Sequence, residues 1–356
     1  MKRIGNLYEK IISVENLRLA DQKARRGKHR TYGVRHHDRN REANLEALHE
    51  ALLTRTYKTS AYEVFTVYEP KERLIYRLPY YPDRIVHHAI MNILEPIWVA
   101  AFTHNTYSCV KGRGIEGCAR SVERHIRKYD GQPLYILKID IKKFYPSLKH
   151  KVLKKAARWK IKCPDTLWLI DEIIDSVNGT PHQVRRDEIC DGENLPIGNY
   201  LSQYLANLVF AVFMHLCNEE WRIDVDEYAD DFAFYGTSPE WLRRMFFEHI
   251  KPFIENELEL EIKGNWQIFP LAKNREDRHG RALDFVGYKF YREQKLIRKS
   301  IKQNFCRTVA KLNKRNDISL ADYKQRVASW LGWAQHSNSK HLLKTIIKPE
   351  FQNGIL

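Results

Sequence analysis

The chain has 356 residues, with 60 Lys and Arg against 44 Asp and Glu, which gives a formal net charge of +16. This surplus favours a polyphosphate partner such as nucleic acid, and the length allows one large multi-lobed core or two smaller ones. No uninterrupted apolar run approaches the roughly 18 residues that span a bilayer, and no signal-peptide core is present, which argues against a membrane protein. Six scattered cysteines lack Cys-x-x-Cys spacing, which argues against a zinc site and a disulfide framework.

The first 60 residues predict helices separated by a basic stretch at residues 23–41. Residues 62–68 alternate apolar and polar side chains as a half-buried strand does, and residues 71–77 predict its antiparallel return. Residues 81–94 then place apolar side chains at helical spacing, with Asp83 as the expected N-cap.

Gly112 and Gly114 alternate with two cations, Lys111 and Arg113. Glycine permits close approach of the backbone to a ligand, and the two cations could hold nucleic-acid phosphates. The segment lacks the Lys-Ser/Thr pair of a P-loop, which excludes a nucleotide-binding loop of that type.

Residues 134–141 predict a buried strand in which Asp140 is the sole acid. Taken alone, such a carboxylate is more often a satisfied structural group than a metal ligand. Residues 149–162 follow with seven Lys and Arg interleaved with apolar residues. They predict an amphipathic helix whose basic face is either solvated or in contact with RNA, two equal alternatives.

The segment Tyr228-Ala229-Asp230-Asp231 lies between two strand-like segments, residues 224–227 and 232–236. Adjacent carboxylates repel each other and resist burial unless a cation neutralises them, so this turn predicts a metal site. With Asp140 on a neighbouring strand, the three carboxylates could hold two divalent ions about 3.5 to 4 Å apart.

The remaining segments flank this hairpin. Residues 195–208 predict a Gly turn leading into a helix with a buried face made of Leu201, Leu205, Leu208, Val212 and Leu216. Residues 271–282, rich in Arg and other polar residues, predict a solvated loop. From residue 302 the chain is expected to be helical and basic, with Trp330 and Trp333 one helical turn apart in its core.

In order and spacing, these segments resemble a reverse transcriptase over nearly the whole chain. Residues 140–145, 195–208 and 228–231 resemble the first, second and third palm motifs of that family. Residues 258–262 resemble the strand before the primer grip, and residues 283–288 resemble the primer grip. The resemblance implies an α+β right-hand polymerase fold, with fingers, a palm built on an antiparallel sheet, and a helical thumb.

The resemblance also implies a division of the chain. We expect residues 1–60 to form an N-terminal helical extension, 61–130 the fingers, 131–150 the first part of the palm, 151–190 a fingers–palm connection, 191–295 the rest of the palm and 296–356 the thumb.

The same resemblance assigns site residues. Asp140, Asp230 and Asp231 would be catalytic and, with Ile141, would bind two Mg²⁺ ions, for which Mn²⁺ could substitute. The expected nucleotide-binding residues are Lys71, Arg73, Arg84, Tyr145, Ile197, Gly198 and Gln203. Tyr145 would be the steric gate against the ribose 2′-hydroxyl. The expected template- or primer-binding residues are Lys111, Arg113, Tyr228, Phe285 and Gly287.

The second palm motif narrows the resemblance. Pro196-Ile197-Gly198 followed by Ser202-Gln203 is similar to the reverse transcriptases of diversity-generating retroelements, whereas most relatives of group II introns have Gln in place of Ile197. This resemblance implies error-prone copying of a retroelement template RNA into cDNA, with errors opposite adenines, for diversification of a target gene. A Gln could hydrogen-bond near the nascent base pair and Ile197 can only pack, so selectivity should weaken; simple filling of the helix–palm junction is an equal alternative.

The implied partners are a template RNA, the RNA–cDNA duplex, dNTPs and a small basic accessory protein that forms a multimeric ring. The implied location is the cytoplasm of a bacterial or phage-infected cell, without a membrane. A retron-like or phage-defence reverse transcriptase is the main alternative, and an idle RNA-binding scaffold is another. An RNA polymerase is disfavoured, because Tyr145 should exclude ribonucleotides by its bulk. Trp266 stands where many relatives have a Lys, so no general acid for pyrophosphate is assigned.

Overall fold

A computed structural model describes residues 2–68, 72–178, 192–315 and 317–355. Its helices are α1 (Tyr8–Ile12), α2 (Val14–Ala24), α3 (Tyr32–Asp38), α4 (Arg41–Leu53), α5 (Ile85–Ala101), α6 (Gly114–Lys128), α7 (Phe144–Ser147), α8 (His150–Lys160), α9 (Pro164–Asp175), α10 (Tyr200–His215), α11 (Pro239–Met245), α12 (Lys299–Asn313), α13 (Leu320–Gln335), α14 (Lys340–Ile346) and α15 (Pro349–Ile355). Its strands are β1 (Glu63–Tyr68), β2 (Glu72–Arg77), β3 (Tyr135–Asp140), β4 (Asp224–Tyr228), β5 (Asp231–Gly236), β6 (Gln267–Pro270), β7 (Leu283–Phe285), β8 (Tyr288–Phe290) and β9 (Lys295–Ile297). Lys71, a predicted nucleotide-binding residue, lies outside the described residues.

The chain divides into two compact units. The first comprises Met1–Val110, Ile141–Arg222 and His249–Lys263, and the second comprises Lys111–Asp140, Ile223–Glu248 and Gly264–Leu356. This division follows spatial contacts and does not coincide with the six segments expected from the sequence, whose boundaries stay predictions.

The first unit is mainly helical, as predicted for residues 1–60, and it carries the antiparallel hairpin β1–β2. Its helix α5 lies against α2 and α10. Leu201, Leu205 and Leu208 of α10 are buried as their spacing predicts, but Val212 is 37% exposed and does not belong to the core. The predicted N-cap of α5 was wrong, because Arg84 occupies that position while the buried Asp83 accepts hydrogen bonds elsewhere.

Helix α10 continues into a π-type turn, Leu216–Glu220, and corrects one expectation from the sequence. By length and composition alone, Tyr200–Glu220 could cross a membrane, although no apolar segment of that length was expected. Within its apolar window, 72% is buried inside the protein, which is how the core helix of a folded domain passes the same test.

The second unit is built on a four-stranded antiparallel sheet with the strand order β4-β5-β3-β6. The central strands β3 and β5 are rich in branched and aromatic side chains, which favour a pleated, buried surface. Residues 258–262 were expected to provide a strand, and this was wrong. Glu259 has a φ of +53°, which interrupts an extended run, and Ile262 makes only an isolated bridge, to Ile141.

A three-stranded sheet, β7-β8-β9, and the four helices α12–α15 complete the second unit. The helices enclose an apolar cluster, as the predicted helical C-terminal region requires. Its fully or nearly buried members include Phe305, Val309, Tyr323 and Val327. Trp330 stacks on Phe305 at the edge of this cluster, with 6.2 Å between the ring centroids.

Candidate active site

The β4–β5 hairpin sets the positions of two adjacent carboxylates. Tyr228 pairs with Asp231 across the hairpin, so Ala229 and Asp230 form its two-residue turn. Ala229 has a φ of +58°, a left-handed conformation that costs a residue other than glycine about 1 kcal/mol. Asp230 therefore stands in the turn, and Asp231 begins the next strand.

The register of the sheet brings the third predicted carboxylate to the same edge. Asp140, at the end of β3, is the direct antiparallel partner of Asp231. Cross-strand partners project from the same face, with their Cβ atoms about 5 Å apart. The structure therefore brings Asp140 and Asp231 side by side, with Asp230 next along the chain.

Lys138 faces this edge, and the sequence reasoning missed it. It lies two residues before Asp140, so both side chains project from one face of β3, and its Nζ is 3.2 Å from Oδ1 of Asp231. Burial raises the pKa of Asp231 above its ordinary value and Asp140 adds to the rise, while Lys138 and Arg298 act in the opposite direction. The two-residue spacing was the signal that could have identified Lys138.

The donor chemistry of this edge fits Mg²⁺, because carboxylate oxygens are hard ligands and burial, the main cause of the raised pKa of Asp231, disfavours its charge unless a cation compensates it. Among the described residues, no group of three or more His, Cys, Asp or Glu side chains is gathered closely enough to hold an ion. The carboxylates are thus neighbours without converging on one point. Ile141 belongs to the first unit, and its buried side chain has no donor atom, so only its carbonyl oxygen could bind metal.

A cavity of about 200 Å³ opens beside Asp140. Its walls are formed by Lys138, Ile139, Asp140, Asn265, Trp266, Gln267, Phe269, Arg281, Ala282 and Asp284. Trp266 packs on Phe246 with 4.3 Å between the ring centroids. Within β3, the cation that lines this cavity together with Asp140 is Lys138.

Two acids within β4, Asp224 and Asp226, have a structural role instead of a metal-binding one. The fully buried Asp226 has His125 Nδ1 at 2.9 Å and accepts a hydrogen bond from the Tyr235 hydroxyl at 2.8 Å. Asp224 accepts hydrogen bonds from Lys128 Nζ and from the Tyr129 hydroxyl, the latter at 2.8 Å. These contacts join α6 to β4, so both carboxylates are structural.

Three of the predicted nucleotide-binding residues meet in the first unit. The amide of Tyr76 in β2 donates to the carbonyl of Ile197 at 3.0 Å. Gly198 has a φ of +114°, and a Cβ there would lie 3.2 Å from Ile75. Arg73 is exposed on the same face of β2 as Ile75, because the two are separated by two positions in a strand.

The other nucleotide-binding candidates are placed separately in this unit. Tyr145 is partly exposed, and its carbonyl accepts a hydrogen bond from the amide of Leu195 at 2.9 Å, which links the first and second palm motifs. Gln203 is exposed on the first turn of α10. Arg84 is half-buried, and burial lowers its pKa.

The predicted template- or primer-binding residues lie in the second unit. Lys111 is exposed, and Gly112 and Gly114 next to Arg113 both have positive φ angles, +81° and +56°. Tyr228 is partly buried beside the hairpin turn.

Phe285 and Gly287, the residues expected to bind the primer, lie in the β7–β8 hairpin that the resemblance implied. Phe285 is fully buried and does not offer its side chain to a ligand. Gly287, with a φ of +83°, lies under Trp333, and a Cβ there would be 2.4 Å from the indole. Trp333 also packs on Tyr288, with 4.9 Å between the ring centroids. Both residues therefore shape the β7–β8 hairpin from within.

Comparison with known proteins agrees with this geometry. Residues 69–263 match the family model described as "Reverse transcriptase (RNA-dependent DNA polymerase)". Protein YkfC of Escherichia coli (strain K12) is 24% identical over 181 residues, which cover 50% of this chain and 46% of that protein. The chain therefore spans about half the length of this curated relative.

A solved structure supports the fold. Apo telomerase from Candida tropicalis superposes with a TM-score of 0.50 at 12% sequence identity, over 81% of this chain and 58% of that one. At this identity the likeness concerns the fold alone, and it confirms the predicted right-hand polymerase architecture.

Proposed function

The chain belongs to the reverse transcriptase family, and we propose that it is an RNA-directed DNA polymerase of the diversity-generating retroelement type. The observation that carries the polymerase activity is the placement of Asp140 directly opposite Asp231, with Asp230 in the adjoining turn. An edge of this kind supplies the hard oxygen ligands that two-metal nucleotidyl transfer requires.

Asp140, Asp230 and Asp231 would hold two Mg²⁺ ions, which when bound supply the charge that activates the primer 3′-hydroxyl and stabilises the leaving pyrophosphate. Arg73 can donate two parallel hydrogen bonds to a phosphate of the incoming dNTP. Tyr145 would exclude ribonucleotides by its bulk. Gly198, which lies against Ile75, lets the second palm motif pack closely on β2 beside the apolar Ile197.

The RNA–cDNA duplex would be held by the thumb. On α12, Lys299, Arg307, Lys311 and the C-capping Lys314 are exposed on the side opposite the buried Phe305 and Val309. None of these four cations forms an ion pair within the described part of the chain. They suit the backbone contacts by which A-form-like duplexes are recognised.

The basic helix α8 contrasts with α12 and is assigned no RNA contact. Its cations pair with acids of the same unit: Lys151 with Glu259, Lys154 with Asp175, Lys155 with Glu257 and Arg158 with Asp171. Of the two alternatives that the sequence left open for this helix, these ion pairs favour a structural, solvated face.

The finer role is inferred from the second palm motif. Ile197 cannot hydrogen-bond to a base pair, which supports error-prone synthesis, with errors opposite adenines, on a retroelement template RNA and subsequent diversification of a target gene. A small basic accessory protein forming a multimeric ring, and a cytoplasmic location in a bacterial or phage-infected cell, belong to the same proposal. A retron-like or phage-defence role is the alternative.

Primer extension tests the proposal. The purified chain is incubated with Mg²⁺, a primed RNA template and either dNTPs or rNTPs, with Asp230→Asn in parallel, and the products are sequenced. DNA that the parent makes with errors at template adenines, and that Asp230→Asn does not make, supports both the polymerase activity and the error-prone retroelement role. Accurate DNA keeps the polymerase and favours the alternative role, whereas equal products from both proteins contradict the assigned site.

A further inference from the structure

The corner between α2 and α3 is a basic surface of the first unit that the proposed polymerase site does not use. Between residues 22 and 41 the chain has eight Lys and Arg, and its sole acid is Asp38. The sequence predicts a basic, mobile stretch between helices at residues 23–41, whereas the structure forms helix α3 within it. In the structure, six of these cations, the arginines, fall into two groups with different surroundings.

The first group faces inward and is structural. Arg25 and Arg41 bind the fully buried carboxylate of Asp21 at 2.8 and 2.7 Å, and the Tyr80 hydroxyl donates to the same carboxylate. Gly33 of α3 fits against Tyr80, where a Cβ would come within 3.0 Å of the Tyr80 Cβ. These contacts fix α3 rigidly to the helices beneath it.

The second group faces outward. Arg26, Arg30, Arg35 and Arg39 are exposed, and none of their guanidinium groups forms an ion pair or hydrogen bond within the residues that the structure describes. Asp38, the sole acid among residues 22–41, pairs with the inward-facing Arg25 at 2.8 Å. The outward arginines are thus left available to an external anion.

Helix α3 adds an aromatic platform to this charge. Tyr32, Arg35, His36 and Arg39 follow the i, i+3, i+4, i+7 spacing of one helix face, and all four are exposed. Tyr32 is 75% exposed and stacks on His36, with 5.7 Å between ring centroids and 15° between planes. An exposed ring pair flanked by arginines is how proteins stack unpaired bases while holding the neighbouring phosphates.

We propose that this outward face, defined by Tyr32, Arg35, His36 and Arg39, binds unpaired RNA outside the polymerase site. Its length of about 10 Å along the helix accommodates roughly three stacked nucleotides. The proposal depends on the proposed function only in the choice of RNA as partner. It would let the protein grip a structured RNA at a point distinct from the copied strand.

Fluorescence anisotropy with a labelled, unstructured 12-nucleotide RNA at about 0.15 M salt tests the proposal. Replacing two arginines together, Arg35→Gln with Arg39→Gln, should raise Kd about ten-fold and reduce the slope of log K against log salt by about 1.4. Tyr32→Ala should raise Kd at least about five-fold by removing the stacking surface, while Tyr32→Phe should stay within about two-fold. All substituted side chains are exposed, so melting temperatures should be unchanged.

The matched control removes the same charge from the paired helix, with Lys151→Gln and Lys155→Gln together. Its Kd should change less than about two-fold. RNA carrying 4-thiouridine should crosslink to the Tyr32 peptide on irradiation. An equal loss of RNA affinity in the control variant would overturn the proposal. An unchanged Kd in both the double-arginine variant and Tyr32→Ala would also overturn it and would favour an acidic protein as the partner of this face.

A loss with the arginine pair but not with Tyr32→Ala would overturn the assignment of unpaired bases and leave charge attraction alone. Primer extension on a short primed template is measured in parallel and should be retained by every α3 variant. If the unsubstituted protein fails to extend a primer, the polymerase proposal fails. The RNA-binding measurements then still test the α3 proposal, because they do not require polymerase activity.

Discussion

Two carboxylates, Asp21 among the N-terminal helices and Asp231 at the edge of the sheet, have opposite surroundings. Burial acts to raise the pKa of Asp21, but hydrogen bonds from His37, Tyr80, Arg25 and Arg41 hold that pKa below its ordinary value. Burial and Asp140 instead raise the pKa of Asp231, against the opposing effect of Lys138 and Arg298. The protein itself therefore satisfies the first carboxylate, whereas burial of the second disfavours its ionised form more than the neighbouring cations stabilise it, as is typical of a functional site.

The largest effect should come from substituting the hairpin carboxylates. Asp230→Asn removes a metal ligand without changing side-chain size, so primer extension should fall by at least about 10³-fold, which corresponds to several kcal/mol. The melting temperature should not fall. Glu240→Gln, a fully exposed carboxylate of the same unit, is the control and should retain full activity.

The reverse pattern is expected of Asp21. Asp21→Asn should lower the free energy of unfolding by about 3 kcal/mol at pH 7, because it leaves buried donors without their charged acceptor. A depressed pKa contributes stability that is present above the pKa of the unfolded state, near 4, and is lost as the pH falls through the folded-state value. The difference between variant and parent, measured by urea unfolding, should therefore shrink in acid.

A matched substitution separates this effect from a general loss of charge. Glu42→Gln removes an exposed partner of Arg18 in the same helices and should cost less than about 1 kcal/mol. If Glu42→Gln lowered the free energy of unfolding as much as Asp21→Asn, the buried network around Asp21 would contribute no more to stability than an exposed ion pair.

In the metal-free protein, Asp231→Asn should change the folding stability in the opposite direction from Asp21→Asn and stabilise the fold. A raised folded-state pKa means that the ionised carboxylate opposes folding, so this penalty is absent below the unfolded pKa and grows as the pH rises through the folded value. With a chelator present, the variant should melt about 2 °C above the parent at pH 7, and the gain should vanish near pH 3. A lower melting temperature at both pH values would place Asp231 with Asp21 as a structural group.

Lys138 should have the smallest effect. Its ammonium competes with a divalent cation for Asp231, so Lys138→Met should lower the Mg²⁺ concentration that half-saturates primer extension by about three-fold, the scale of a partly exposed ion pair. Lys142→Met, which removes an exposed partner of Glu261, is the matched control and should leave the Mg²⁺ requirement unchanged. A raised requirement in Lys138→Met would show that Lys138 assists the metal site.

Local patterns in the sequence predicted much of the fold and the hairpin of the site. The run ending at Asp140 and the Tyr228–Asp231 turn form the expected strands and turn, because alternation and turn chemistry act over a few residues. The extended backbone expected at residues 258–262 failed, since the left-handed conformation of Glu259 has no signal in its residue type.

Long-range pairing could not be predicted. Two partners of Asp21 lie 20 and 59 residues away in the chain, at Arg41 and Tyr80. The contact between Lys138 and Asp231 joins residues 93 positions apart. Likewise, the similar basic character of α8 and α12 gave no indication that the cations of α8 pair with acids of its own unit, whereas Lys299, Arg307 and Lys311 of α12 form no ion pair within the described residues.

Metal binding tests the contrast between the two carboxylates most directly. Mn²⁺ is titrated into the parent protein, Asp230→Asn and Asp21→Asn, each shown to be folded by circular dichroism, and free Mn²⁺ is followed by electron paramagnetic resonance. We expect the parent and Asp21→Asn to bind with the same affinity and Asp230→Asn to bind at least about ten-fold more weakly. Equal affinity in Asp230→Asn and the parent would contradict the assignment of the hairpin edge as the metal site.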